Sequence, residues 1–149
     1  PTACIFIYWS LNTVIKKEPF AKAENIITVV LIFIFLLIGL WKWEHIYTST
    51  AFMLSGFLLL YHRLFVKPGY RGRFYLAYLV TCIPFLLVNG VLTGGFTEGP
   101  VVMYNPEENF GLRIGTVPVD DFAYSFLMLF ANISLFEAFG NRLTSRENI

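Results

Sequence analysis

The chain has 149 residues, of which 56% are hydrophobic and 14% charged, against roughly 25% charged in an average soluble domain. With a mean hydropathy of +0.63, this composition describes an integral membrane protein and not a soluble domain. A net charge of +1 excludes a bulk electrostatic partner such as nucleic acid.

Residues 1–11 are apolar but too short to span a bilayer. They read as the tail of a helix that starts before Pro1, so the chain is expected to be part of a longer protein. No basic stretch precedes a short apolar core, so no signal peptide is expected. Residues 12–23 form a polar, cytoplasmic linker with Lys16, Lys17 and Lys22, and Pro19 as a breaker. Ile26–Trp41 is a nearly unbroken apolar run that, with its flanks, reaches the ~20 residues of a span. Trp41 and Trp43 stand where interface aromatics belong, and Lys42–His45 turns the chain. Ile46–Val66 is the second span, in which Ser49, Thr50, Ser55 and Gly56 allow close helix contact. His62 and Arg63 near its end read as interfacial, and Lys67-Pro68-Gly69 as a turn before Arg71 and Arg73. Phe74–Leu92 is the third span, with a kink predicted at Pro84 and an amide, Asn89, in its last turn. Residues 93–117 form a loop long enough to suggest function or disorder, with Glu98, Glu107, Glu108 and Arg113. Val101-Val102-Met103-Tyr104 alternates there as a short strand or a segment lying on the membrane. Phe122–Phe139 is the last span, opened by Pro118 near its first turn, and the tail from Gly140 is polar.

The expected fold is an all-α polytopic membrane bundle of about four full spans plus a truncated N-terminal helix. Its membrane domain covers residues 24–141, and residues 142–149 are a cytoplasmic tail. Charge bias sets the orientation. The 12–23 linker, the turn from His62 to Arg73 and the tail share one face and hold nine of the 11 Lys and Arg. The other face holds Lys42 and Arg113 alone. By the positive-inside rule the nine face the cytoplasm.

Chemistry concentrates where the polar loop enters the last span. Asp120 and Asp121 are adjacent acids at a membrane entry, a costly arrangement that is functional by default. The alternative role is capping and dipole complementarity, for which one acid suffices. Like charges close together in low dielectric push one carboxyl toward its protonated form, which suits a general acid. From Asp121, helical spacing brings Ser125, Met128 and Asn132 to one face, with Tyr124 beside them. Glu107 and Glu108 are either solvated loop charges or further acids. Arg113 is either their partner or the group that holds Asp120 or Asp121 ionised. Asn89 bonds another helix or holds a catalytic acid. Cys4 and Cys82 lie in apolar runs without metal-type spacing and read as packing residues. No metal site is expected, and no phosphate loop, Ser-His-Asp set or HExxH is present. The 16 Phe, 8 Tyr and 3 Trp suit membrane packing and would also suit a carbocation.

Two stretches carry a family resemblance: Asn89-Gly90-Val91-Leu92-Thr93, and the run Gly111-Leu112-Arg113-Ile114-Gly115-Thr116-Val117-Pro118-Val119-Asp120-Asp121-Phe122. Together they resemble the membrane lycopene cyclase domain family of bacteria, archaea and fungi. The match is specific in the loop and last helix and loose over the rest. Asp120, shorter by one methylene, stands where members usually carry Glu. The family is built of two similar repeats, fused or on two subunits. Residues 2–8 align with residues 130–136, so residues 1–11 resemble the end of a preceding repeat, with Trp9 opposite Glu137. The chain then resembles one repeat of a duplicated architecture and holds half of a site. Its partner would be the missing repeat or a homologous subunit.

The resemblance implies cyclisation of the end groups of lycopene, or a related linear carotenoid, to β-rings. An acid protonates a terminal double bond, a neighbouring double bond closes the ring, and a base removes a proton. No electrons are transferred, so no redox cofactor is expected. Asp120 and Asp121 are the implied acid–base pair, Glu107 and Glu108 the second candidates. Asn89, Arg113, Tyr124 and Asn132 would orient acids or substrate. The substrate would enter from the lipid bilayer, in a bacterial plasma membrane. The alternatives are a non-catalytic carotenoid-binding or partner subunit, and a small proton or solute transporter using the same acids as a relay.

Overall fold

The computed structural model describes residues 2–17, 19–20, 22–66, 69–95, 99–105 and 107–147, with the backbone alone for Ala3 and residues 140–147. Among them are five helices and one small hairpin: α1 (Thr2–Val14), α2 (Glu24–Trp41), α3 (Ile46–Phe65), α4 (Arg71–Leu92), β1 (Arg113–Ile114), β2 (Val117–Pro118) and α5 (Val119–Glu147). The class is all-α, as the apolar runs imply. α2 packs along α3, α3 along α5, and α1 along α4.

The helices are patterned for lipid. In α2 the buried residues are Thr28, Ile32, Phe35 and Gly39, a single stripe at helical spacing. Phe33, Leu37 and Leu40 of the same helix are exposed. α3 meets that stripe with Ala51, Phe52, Ser55 and Gly56, all buried. The approach is close because glycine has no side chain. A Cβ at Gly39 would lie 2.5 Å from Met53 Cγ, and one at Gly56 would lie 2.8 Å from Leu36 Cδ2. Small residues thus do between these helices what they do in membrane bundles generally. The core beside them is aromatic, with Phe74 centred 5.2 Å from Phe126 and 4.8 Å from Phe130, and Phe35 5.3 Å from Phe126.

Among the described residues three helical stretches are long and apolar enough to cross a membrane: Glu24–Trp41, Arg71–Leu92 and Val119–Phe139. α3, expected as a fourth, has the length at 20 residues but is less apolar. Its polar groups explain the difference, since Thr48, Ser55 and His62 are buried against neighbouring helices. His62, expected at the interface, has its Nε2 2.6 Å from the Tyr70 hydroxyl and its ring 4.8 Å from that of Phe130.

One end of the bundle gathers the basic segments. Arg71 pairs with Glu24 at 2.7 Å, Arg63 donates to Asn25 Oδ1 at 3.0 Å, and Pro19 packs on Gly72. The start of α2, the end of α3 and the start of α4 therefore meet there, as the charge distribution requires. The side chains of Arg142 and Arg146 and residues 148–149 lie outside the described residues, as do Lys67, Pro68 and Glu98.

Several boundaries move. α1 continues to Val14 and α4 begins at Arg71, and α4 runs unbroken past Pro84. α5 starts at Val119, so both aspartates lie inside its first turn, and its backbone stays helical to Glu147. Of the two readings of residues 101–104, a short strand or a segment lying on the membrane, the strand is not formed; the Val101 and Val102 amides donate to Leu92 O at 2.8 and 2.9 Å, wrapping the chain onto the end of α4. The strands lie at Arg113–Ile114 and Val117–Pro118, paired Arg113 with Pro118 and Ile114 with Val117. Gly115 makes that turn at φ 64, a left-handed conformation that suits glycine.

A Cβ at Gly72 would stand 2.1 Å from Pro19 O. Gly72→Ala is expected to destabilise the protein by about 1–3 kcal/mol through overpacking, read as a lowered thermal midpoint in detergent micelles. An unmoved midpoint would mean that Pro19 does not rest on the start of α4.

Candidate active site

The site is built where the loop after α4 meets the first turns of α3 and α5. The loop is fastened at both ends. At the α4 end the Thr93 and Thr116 hydroxyls lie 2.6 Å apart. At the α3 end the Glu108 carbonyl accepts the amides of Tyr47 and Thr48 at 3.1 and 3.3 Å. Its carboxylate accepts the Ile46 amide at 3.2 Å. Glu108 thus caps α3, where backbone N–H groups lack helical partners and negative charge is favoured. The Val119 amide donates to Leu112 O at 2.9 Å, which sets α5 directly after the hairpin.

Asp120 and Asp121 then diverge, because successive residues of a helix point about 100° apart. Asp120 is fully buried. It accepts the Thr48 hydroxyl and the Phe110 amide, which stands 3.2 and 3.1 Å from its two oxygens. Asp121 turns into a cleft of about 640 Å³ between α1, α4 and α5, where Tyr47, Phe85, Tyr104, Tyr124 and Met128 are among its neighbours. Its Oδ1 accepts the Tyr47 hydroxyl at 2.7 Å and its Oδ2 the Tyr104 hydroxyl at 2.5 Å. Burial pushes the Tyr104 phenol up from its usual range, and the bond to Asp121 and that carboxylate's charge push it further. Tyr104 is therefore a protonated donor at neutral pH. The two aspartates do not share one cavity. Asp120 faces the protein interior and Asp121 the cleft.

The other expected residues separate in the same way. Tyr124, Ser125 and Met128 line the cleft with Asp121, as the helical stripe requires, and so does Asn89. The Asn89 amide donates to Phe85 O at 3.2 Å, within its own helix and not to an acid. Asn132 donates to Met128 O at 2.6 Å and stands a turn beyond the cleft. Arg113 donates to Thr116 O at 2.9 Å, so its guanidinium braces the hairpin turn, and among the described residues no ion pair joins it to either aspartate. Glu107 is exposed. Glu137 accepts the Tyr8 hydroxyl at 2.5 Å and lines a second cavity, of about 660 Å³, with His62, Tyr70 and Arg73. Sixteen residues of helix put it ~24 Å along α5 from Asp121. Among the described residues no three His, Cys, Asp or Glu side chains converge as a metal site.

Tyr47, Thr48 and Tyr104 are the partners that the sequence hides. Tyr47 and Thr48 precede the acids they touch by 74 and 72 residues, and a Tyr at the start of a span reads as an interface aromatic.

A family model described as lycopene cyclase matches residues 44–139, well over half of the chain. The matched segment includes every residue named above around Asp120 and Asp121. No curated protein and no solved structure matches the chain.

Thr48→Val removes the hydroxyl donor of a carboxyl with no access to water. It is expected to cost about 1–3 kcal/mol, seen as a lower denaturation midpoint and faster proteolysis of the loop around Phe110. Native resistance in both assays would show that Thr48 does not hold Asp120.

Proposed function

The chain belongs to the lycopene cyclase family, and we propose that it closes the end group of a linear carotenoid into a β-ring, with Asp121 as the acid. One observation carries the choice of residue. Among the described residues Asp121 is the sole carboxyl lining the apolar, tyrosine-walled cleft. Glu108, engaged with the N-terminus of α3, and the exposed Glu107 have no such setting.

The reaction runs as an isomerisation. The O–H bond of protonated Asp121 breaks as a C–H bond forms at the terminal double bond of the end group. The tertiary cation that results is attacked by the neighbouring double bond, and a C–C bond closes a six-membered ring. A proton then leaves the carbon beside the new cation, and its C–H electron pair becomes the ring double bond. The Asp121 carboxylate is the nearest base in the cleft to receive it. One proton enters and one leaves, and no electrons are transferred.

The surroundings favour this course. The faces of Tyr47, Tyr104, Tyr124 and Phe85 can stabilise a cation without acting as bases. An apolar cleft keeps out water that would trap the cation. Its volume, about 640 Å³, falls within the ~300–1,000 Å³ of ligand sites and suits one end group with the polyene extending into the bilayer. Asp120 acts through position: it fixes the first turn of α5 and hence the direction of its neighbour. Asn89 and Tyr124 wall the cleft near the acid. A homologous repeat or subunit is the partner that would cover its open side, in a bacterial plasma membrane.

The test is pigment analysis of lycopene-accumulating cells expressing the full-length protein, native and Asp121→Asn. The native protein is expected to yield γ- and β-carotene. The variant should lose about 100-fold or more, the scale of general acid–base catalysis, at unchanged membrane abundance. Lycopene left linear by the well-inserted native protein would point to a binding or partner role. Full activity in the variant would remove Asp121 from the chemistry.

A further inference from the structure

Resting on Asp121 as the acid, we infer that Tyr47 and Tyr104 are positioning residues that fix its carboxyl and share the charge left when its proton departs. The clamp comes from two distant parts of the chain. Tyr47 stands in the first turn of α3 and reaches Oδ1 at 2.7 Å; Tyr104 comes from the loop and reaches Oδ2 at 2.5 Å. One donor on each oxygen sets the plane of the carboxyl. A carboxylate offers about four acceptor positions, so each oxygen keeps one for the transferring proton.

The neighbouring acid shows what a purely structural carboxyl looks like in this fold. Asp120 is fully buried and accepts a backbone amide, that of Phe110. Among the described residues no backbone amide outside its own helix donates to Asp121; its donors are two phenols whose rings also wall the cleft. Those rings lie 6.2 Å apart and tilted by 39°, and the Tyr124 ring lies 6.2 Å from that of Tyr47. The same two side chains therefore hold the acid and present π faces to whatever occupies the cleft. Tyr104 does not compete as a proton source, since burial holds its phenol protonated and the charge left on Asp121 after proton transfer holds it further.

The clamp works at the moment of charge separation. When the Asp121 O–H bond breaks toward carbon, its electron pair stays on the carboxylate, and both phenol bonds become charge-assisted and stronger. Donors already aimed at the developing charge need no reorganisation. When the ring cation returns a proton to the carboxylate, the bonds relax. The phenols keep their protons throughout, so the balance of the isomerisation is unchanged.

Lycopene cyclisation kinetics in membranes carrying the full-length protein test this, with Tyr47→Phe, Tyr104→Phe and Asp121→Asn compared. Phe keeps the ring and its packing and removes the hydroxyl alone. Each Phe variant is expected to lower kcat about tenfold or more, the scale of one hydrogen bond to a charged group. KM should stay within about twofold, as for an interaction made mainly in the transition state. The infrared carboxyl band of Asp121, assigned by its loss in Asp121→Asn, should move in both. Native kcat and an unmoved band in the Phe variants, beside an inactive Asp121→Asn, would overturn the clamp and leave the acid in place. An active Asp121→Asn would overturn both. Should a Phe variant fail to insert, 3-fluorotyrosine at the same position keeps ring and hydroxyl and strengthens the donor. A changed kcat is then expected, and an unchanged one overturns the clamp.

Discussion

A carboxyl with no access to water holds this end of the protein together. Burying a polar or charged group is costly unless hydrogen bonds replace the lost water. Asp120 meets that condition by drawing in a hydroxyl from α3 and an amide from the loop. The start of α3, the loop at Phe110 and the start of α5 are thereby fixed to one another. Glu108 adds a second fastening two residues upstream of Phe110, on the free amides of α3. Once the first turn of α5 is fixed, the direction of Asp121 follows from helix geometry. The carboxyl in the cleft is aimed by its neighbour, and the two adjacent acids meet different surroundings.

The rest of the bundle obeys the same constraint. A hydrocarbon surrounding leaves no water for polar groups, so each must find a partner inside. Thr28 lies 2.7 Å from the Tyr75 hydroxyl, Ser55 donates to Ala123 O at 2.9 Å, and Tyr78 donates to Phe122 O at 2.8 Å. These bonds cross between helices whose outer faces are Phe, Leu, Ile and Val. The gain is rigidity at the cleft walls, since Phe122, Ala123 and Ser125 share the first turns of α5 with the aspartates.

Much of this was legible along the chain. The apolar runs located the helices because a span must be long and apolar whatever it packs against. The stripe from Asp121 through Ser125 to Met128 follows from 3.6 residues per turn and does line the cleft. Asn132 lies on the same stripe but outside it, because periodicity gives a direction and not where a cavity ends. For Arg113 and for residues 101–104 the sequence left alternatives open for a related reason. Which group a loop side chain meets depends on how the loop folds, and among the described residues the one strand pairing is the hairpin that turns at Gly115.

The sequence by itself determined the class of molecule, the number and approximate places of its helices, the end at which its positive charge collects and the family it resembles. Those properties are local or additive: hydropathy, period, charge counts and short motifs. Tertiary structure alone decided which aspartate faces the protein interior and which the cleft, that Glu108 is a cap, and that Tyr47 and Tyr104 share one carboxyl. These depend on contacts between residues up to 74 positions apart, and no periodicity of a single helix encodes them. Adjacent acids look alike in a sequence, but a turn of about 100° per residue sends them into different surroundings.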